Sequence, residues 1–222
     1  MRYLVVTGGP IANGIKTEIL DVYDPSKSCL LDDILPWRYW SAGGLIGTTP
    51  VICGGFDGSN NLNECLFYGT NQVITMNYER NRPSSVAITD SMFWITGGHN
   101  GNTLDPTEFI SSDGAILGPT LPEAISDHCT VRFNDNGFIY LIGGGISSGY
   151  YTTNVWVANP SNEYSFVKGP SLITARNSHG CGTMSIGDKS IIVTAGGWDN
   201  DWNYISSVEI LDPLSNQWVP GK

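Results

Sequence analysis

Short apolar runs that end in a pair of glycines recur along this chain of 222 residues. The glycine pairs stand at 8–9, 54–55, 97–98, 143–144 and 196–197, so successive second glycines are 46, 43, 46 and 53 residues apart. A turn residue follows each second glycine after 14 or 15 residues, at Asp24, Gly69, Asp113, Asn159 and Asp212. Two markers that keep in phase indicate a sequence repeat of about 40–50 residues.

Each repeat has the pattern of four short β-strands. In the second repeat they fall at 41–47, 49–53, 64–68 and 72–76, bounded by Gly, Asn, Asp and Pro, which is the pattern of β-hairpins. No segment keeps an apolar period of 3.6 residues over about 11 or more positions, so we expect helices to be nearly absent. The glycine pairs allow backbones to approach closely where strands converge.

A repeat of four antiparallel strands is the blade of a β-propeller. One twisted sheet cannot cover its own two apolar faces, whereas blades arranged around an axis cover each other. The sequence therefore predicts an all-β propeller domain over residues 1–222, with about five four-stranded blades.

The two ends of the sequence do not complete a blade. No inner strand precedes the first apolar run, and the segment 217–222 stops as an outermost strand begins, giving three, four, four, four and about three strands. We therefore expect an incomplete part of a longer ring. The alternative is a natural chain that starts at Met1.

The repeats resemble kelch repeats. The resemblance rests on the apolar run before each glycine pair, on Leu35-Pro36-Trp37-Arg38, on Tyr23-Asp24-Pro25 and Leu211-Asp212-Pro213, and on Trp218. The third repeat departs from the pattern because it lacks the Asp-Pro pair and the later Trp. The resemblance implies a kelch-type β-propeller that acts as a protein-interaction module, because related domains are receptors, scaffolds or recognition domains.

Charge excludes some partner classes. The chain has 11 Lys and Arg against 21 Asp and Glu, a net charge of −10, and no basic cluster that would bind nucleic acid or an anionic membrane. No apolar stretch approaches the roughly 18–20 residues of a membrane span, so membrane insertion is not expected. A protein ligand is the predicted partner, with a glycan as the open alternative.

The five cysteines leave two questions about pairing. Cys53 and Cys65 fall on neighbouring strands of one repeat, where a bridge and two buried thiols are both compatible with the pattern. Cys129 and Cys181 occupy matching positions in successive repeats, which we expect to lie too far apart to bond, and Cys29 is left over.

The compartment stays open at this stage. The first two cysteines resemble those of extracellular invertebrate kelch proteins, which favours an extracellular location. The chain has no Asn-X-Ser/Thr glycosylation site, however, and a cytoplasmic location is the alternative.

Neither a metal site nor a cofactor is predicted. Asp199, Asp201 and Asn203 alternate as in a calcium loop, but Tyr204 and Ile210 stand where an EF-hand needs Gly and Glu, so we interpret them as turn residues. His128 and His179 could ligate a metal near the channel, but we favour the structural role that the kelch resemblance implies for them.

No catalytic motif occurs, so we predict a chain that is not an enzyme. The alternative is a sugar-modifying enzyme of the mutarotase, epimerase or oxidase kind, or a glycan-binding propeller. Either would use the same fold.

The predicted binding surface is one mouth of the propeller, where the loops between strands meet. Trp, Tyr and Arg dominate binding hot spots, and the loops are rich in them. The candidate partner-binding residues are Trp37, Arg38, Tyr39, Phe56, Asp57, Arg80, Arg82, His99, Asn100, Tyr150, Tyr151, Arg176, Trp198 and Trp202. Trp40 and Arg176 could instead pack between blades.

Overall fold

The computed structural model describes residues 3–6, 17–21, 24, 30–32, 36, 38–134, 136–187, 189–212 and 214–221. Over these residues it contains 21 β-strands and a single short 3₁₀ turn, Pro160–Asn162, and no α-helix. The prediction of an all-β chain is confirmed. No helix in the described ranges is long and apolar enough to cross a membrane.

The strands are numbered in the order in which they occur in the chain. Their bounds are β1 Tyr3–Val6, β2 Thr17–Asp21, β3 Leu30–Asp32, β4 Ala42–Ile46, β5 Thr49–Cys53, β6 Glu64–Phe67, β7 Val73–Thr75, β8 Ser84–Thr89, β9 Met92–Thr96, β10 Thr107–Ser111, β11 Gly114–Leu117, β12 Ile125–Ser126, β13 Cys129–Arg132, β14 Ile139–Ile142, β15 Gly145–Ile146, β16 Val155–Asn159, β17 Ser165–Lys168, β18 Gly180–Ile186, β19 Lys189–Ala195, β20 Val208–Asp212 and β21 Gln217–Pro220.

Five antiparallel sheets form the blades. Blade 1 contains β1, β2 and β3. From the innermost to the outermost strand, blade 2 is β4–β7, blade 3 is β8–β11, blade 4 is β13, β14, β16 and β17, and blade 5 is β18–β21. A two-stranded ribbon of β12 and β15 accompanies blade 4.

Blade 5 has four strands, so the expectation of about three was wrong. Its outermost strand, β21, pairs with β20 along Gln217–Pro220. The strand is held because the Trp218 ring is buried against blade 4 and its indole N–H donates to the Pro170 carbonyl at 3.0 Å. A single anchoring aromatic side chain completes the blade.

The blades stand side by side around an axis. The inner strands β4, β8, β13 and β18 neighbour each other in that order. Apolar side chains fill the three spaces between blades 2 and 5. The buried clusters there contain Phe67 with Phe93, Trp94 with Ile139, and Tyr140 with Leu211. Among these four blades, each covers the apolar face of the next, as the propeller prediction required.

The glycine pairs at 54–55, 97–98 and 143–144 lie at the contacts between blades. At the second glycine the N–H donates to a carbonyl of the following blade, for example from Gly98 to Ile125 and from Gly144 to Arg176, both at 2.8 Å. Gly97 has a positive φ of 57°, and a Cβ there would lie 2.2 Å from the Ile125 carbonyl oxygen. Only glycine tolerates both conditions, which explains the repeat of the pair.

Two disulfides cross-link the chain. Cys53 and Cys65 stand opposite each other on β5 and β6 and are bonded within blade 2. Cys129 and Cys181 are also bonded, with Cα atoms 5.9 Å apart, so the expectation that they are separate thiols was wrong. Inner strands converge toward the axis, which brings equivalent positions of adjacent blades within the roughly 4.4–6.8 Å that a disulfide needs. Cys29 lies outside the described residues.

Candidate functional site

A backbone ladder links four blades at one mouth of the propeller. Its residues, Trp40, Arg82, Asp127 and Ser178, all have left-handed backbones, with φ of 58°, 53°, 52° and 50°. The N–H of Arg82 donates to the Trp40 carbonyl at 2.7 Å, that of Asp127 to Arg82 at 3.0 Å, and that of Ser178 to Asp127 at 2.8 Å. Such backbones are uncommon outside glycine and cluster at functional sites. We call these four residues the mouth ladder.

The mouth ladder borders a cavity of about 400 Å³. All four ladder residues line it, together with loop residues of blades 3, 4 and 5. The loop residues with aromatic or imidazole rings are His99, Tyr151, Trp198 and Trp202. Because the ladder fixes the backbone beneath them, these side chains are presented on a rigid support.

One wall of the cavity holds an internal cation. The Arg82 guanidinium lies over the Trp40 ring, 4.0 Å from its centroid, and 3.6 Å from the Asp127 carboxylate. The Ser178 and Ser126 hydroxyls donate to the same carboxylate at 3.2 Å and 3.3 Å. Burial raises the pKa of Asp127, and Arg82 and Ser178 partly offset this effect.

A second wall, formed by the loops of blades 4 and 5, is aromatic and more exposed. Trp202 has 72% of its surface exposed and meets Tyr151 edge to face, with ring centroids 5.9 Å apart. Tyr151 is tied to blade 5 through Asn200, which accepts its N–H at 2.6 Å and donates to its carbonyl at 3.1 Å. Trp198 packs against Tyr204 at 4.0 Å. Loops of two blades therefore build one wall.

Acidic residues between Trp198 and Trp202 shape the turn of this loop. The Asp199 carboxylate accepts the N–H groups of Asn203 and Asp201, both at 2.9 Å. These bonds, that from Asn203 foremost, lower the pKa of Asp199 and keep it charged. Within the described ranges no group of three or more His, Cys, Asp or Glu side chains is placed to hold a metal ion.

Three arginines lie below the mouth in buried clamps. Arg80 donates to the carbonyls of Gly97 and Pro106 at 2.7 Å and 2.9 Å and pairs with Glu108 at 2.9 Å. Both side chains are 0% exposed, and burial lowers the Arg80 pKa against the opposing effect of Glu108. The arginine joins the glycine pair to the third strand.

The other two clamps follow the same plan. Arg176 donates to the Gly196 and Ser207 carbonyls and pairs with Glu209 at 2.7 Å. Arg38 reaches the Gly54 and Glu64 carbonyls, and its contact with the half-exposed Glu64 carboxylate is longer, at 3.6 Å.

The clamps correct three of the predicted contact residues. Arg38, Arg80 and Arg176 are buried, so a partner at the mouth cannot reach their guanidinium groups. The physical reason is that each satisfies backbone carbonyls inside its own blade, which the residue type alone does not reveal.

The structure brings together some of the other candidates. Arg82, His99, Tyr151, Trp198 and Trp202 line the cavity. The remaining described candidates lie outside it: Tyr39, Phe56, Asp57, Asn100 and Tyr150. Trp37 lies outside the described residues.

Sequence reasoning missed two ladder residues. Asp127 and Ser178 occupy the same repeat position as Arg82. Arg82 stands two residues after Arg80, and in the same way Asp127 follows Ile125 and Ser178 follows Arg176. Aligning the repeats on this position would have found them, but their types differ from the aromatic and basic residues that we sought.

The two candidate metal-binding histidines lie buried between blades. The His128 Nε2 atom is 2.8 Å from the Thr96 hydroxyl of the preceding blade. Burial, with a smaller effect of His179, lowers the pKa of His128 to about 3. Burial, with a smaller effect of Arg176, lowers the pKa of His179 to about 4. Both imidazoles are neutral near pH 7.

Comparison with known families identifies one of the blades. A family model described as the kelch motif matches residues 179–222, which hold the four strands of blade 5. No curated protein matches the chain at a significant level.

Proposed function

We propose that this chain, whose blade 5 matches the kelch motif, is a binding module that recognises a partner protein through the loops at the mouth. The cavity of about 400 Å³ beside the mouth ladder is the observation that carries this proposal. Binding requires no catalytic group there.

Exposed aromatic side chains support a protein partner. Trp202 is 72% exposed, Tyr150 is 65% exposed and Trp40 is 48% exposed, and all three belong to mouth loops or the mouth ladder. Trp and Tyr are the residues that most often supply hot-spot energy, and large exposed apolar side chains grouped on one surface mark interaction sites. The rigid ladder lowers the ordering cost of binding.

Two disulfides fit a protein that folds in an oxidising compartment. We extend the proposal accordingly to an extracellular or secretory-pathway partner.

Affinity capture with matched variants tests the mouth. The double variant Tyr151→Ser/Trp202→Ser removes two rings of the cavity wall, whereas Ile116→Ser/Leu214→Ser removes two exposed apolar side chains that do not line the cavity. We expect specific partners to be lost with the first variant and retained with the second. Capture of the same proteins by both variants and the wild type would contradict the mouth as the binding surface.

A glycan ligand is the second candidate, favoured by one observation. The Arg82–Asp127 pair offers both donors and acceptors beside the Trp40 ring, which suits sugar hydroxyls. Binding on a glycan array that disappears with Trp202→Ser, without any protein captured, would favour this candidate over a protein partner.

A further inference from the structure

The mouth cavity has two aromatic walls, and only one of them holds a cation. On the first wall Trp40 and Asp127 together hold the guanidinium of Arg82. On the second wall Trp198 and Trp202 line the cavity, and no described Lys or Arg pairs with a ring or carboxylate there. The first wall thus shows how a tryptophan ring and a carboxylate in this cavity bind a guanidinium group, and the loop of the second wall has the same kinds of group without a cation among the described residues.

The loop that supplies the second wall carries aromatic rings and carboxylates, the two kinds of group that attract a cation. Asp199 and Asp201 lie in the loop between the two tryptophans, and Asp199 is held in its charged form. The faces of tryptophan rings attract ammonium and guanidinium groups. Aromatic faces with adjacent carboxylates therefore favour a positively charged ligand.

Asn177 adds a polar residue to the cavity lining beside the second wall, because its backbone pairs with Trp198. Its side chain is 8% exposed, and its Oδ1 atom is buried without a partner in the described part of the chain. The equivalent Asn81 of blade 3 has the same unpartnered oxygen and does not line the cavity, so this oxygen is a feature of the repeat.

The charge of the chain also favours a positively charged ligand at the mouth. Arg82 is the only Lys or Arg among the described cavity-lining residues, and its charge is already matched by Asp127 at 3.6 Å. The chain as a whole carries a net charge of −10. A basic ligand would be attracted from a distance, whereas an acidic one would be repelled.

We propose that the second wall of the mouth cavity binds a lysine or arginine side chain in a basic segment of the partner protein. This inference rests on the proposed function, since it names the chemistry of the partner at the same mouth. The cation would lie over the Trp202 ring, attracted by the carboxylates of Asp199 and Asp201 in the same loop.

Selection from a displayed library of random peptides tests the proposal. We expect peptides rich in Lys and Arg to be enriched on the wild type. A representative of them should bind about 2- to 30-fold more weakly to Trp202→Ala, the range of a cation–π contact. Leu214→Ala, an equally exposed apolar residue in the turn between β20 and β21, is the matched control and should bind as the wild type does.

Neutralising a carboxylate measures the contribution of charge to binding apart from the contribution of the tryptophan ring. Asp201→Asn should weaken the basic peptide, and this effect should shrink as NaCl rises from about 50 mM to about 500 mM. Asp113→Asn, in the turn between β10 and β11, removes the same charge at the other end of blade 3 and should leave the affinity unchanged.

The outcomes distinguish this inference from the proposed function. Enriched peptides that are acidic or neutral and are lost with Trp202→Ala would overturn the basic partner and keep the mouth as the binding surface. Enriched peptides that bind Trp202→Ala and Tyr151→Ser/Trp202→Ser as they bind the wild type would overturn the mouth itself. No enrichment above background would overturn both.

Discussion

Blades 4 and 5 secure the same loop with opposite chemistry. In blade 5, Glu209 on β20 accepts the N–H groups of Ile173 and Thr174 from the loop that enters the blade, at 2.7 Å and 3.0 Å. In blade 4 the loop itself supplies the carboxylate, because Glu123 accepts from Asn154 at 2.8 Å and from Trp156 at 3.3 Å. The loop that enters the blade therefore donates the hydrogen bonds in blade 5 and accepts them in blade 4.

The exchange involves two coupled positions. Ile125 of blade 4 occupies the place of Arg176, since both carbonyls accept from the second glycine of the preceding blade. Trp156 pairs with Leu141 in the register that Glu209 has with Thr194. A buried ion pair in one blade is thus replaced by two apolar side chains in the other, where Glu123 of the entering loop supplies the carboxylate instead.

The largest effect is expected from breaking a buried clamp. Glu108→Gln leaves the Arg80 charge without its carboxylate at a site that is 0% exposed, and should lower the free energy of unfolding by about 3–5 kcal/mol. Glu123→Gln in blade 4, where the carboxylate is half-buried and faces neutral donors, should cost only about 1 kcal/mol. Urea unfolding of both variants measures the difference, and equal losses would contradict the contrast between the blades.

The disulfide between blades 4 and 5 should have the next largest effect. Cys129→Ser/Cys181→Ser opens a loop of 52 residues and should reduce stability by about 2–4 kcal/mol. Cys53→Ser/Cys65→Ser opens a loop of only 12 residues within blade 2, so its cost should be about 1 kcal/mol smaller. Thermal unfolding of the two double variants under oxidising conditions tests this order, and a greater loss from the Cys53–Cys65 bridge would contradict it.

The smallest of these effects is the pH dependence from the buried histidines. Their folded pKa values, about 3 for His128 and about 4 for His179, lie below the unfolded value of about 6.5. The unfolded state therefore binds more protons, so stability is full above about pH 6.5 and falls as the pH drops toward 4. We expect a loss on the order of 2 kcal/mol per histidine between pH 7 and pH 5.

Replacing each histidine assigns this slope. His128→Gln and His179→Gln should each flatten the pH dependence of stability between pH 7 and pH 5, whatever they do to stability at pH 7. A slope that is unchanged in both variants would show that other groups cause it.

Much of the fold followed from local patterns in the sequence. The glycine pairs and the turn residues marked the repeats, because a strand end that touches the next blade requires glycine wherever it occurs. The outermost strand of blade 5 was underestimated because its anchor, the contact of Trp218 with Pro170, joins residues 48 positions apart.

The candidate site was predictable only in outline. Loops rich in aromatic residues indicated the mouth, and Trp198 and Trp202 line its cavity. Residue type could not separate the partly exposed Arg82 from the buried Arg80, because the two lie two positions apart in one loop and only the folded backbone sets the direction of each side chain.

The sequence by itself determined the strand repeat, its phase and the all-β class, since these depend on residues close together in the chain. Only the tertiary structure decided that Cys129 bonds to Cys181, that three arginines are clamps, and that Trp40, Asp127 and Ser178 share one cavity. The reason is geometric. Positions about one repeat apart in the chain become neighbours only where the inner strands converge on the axis.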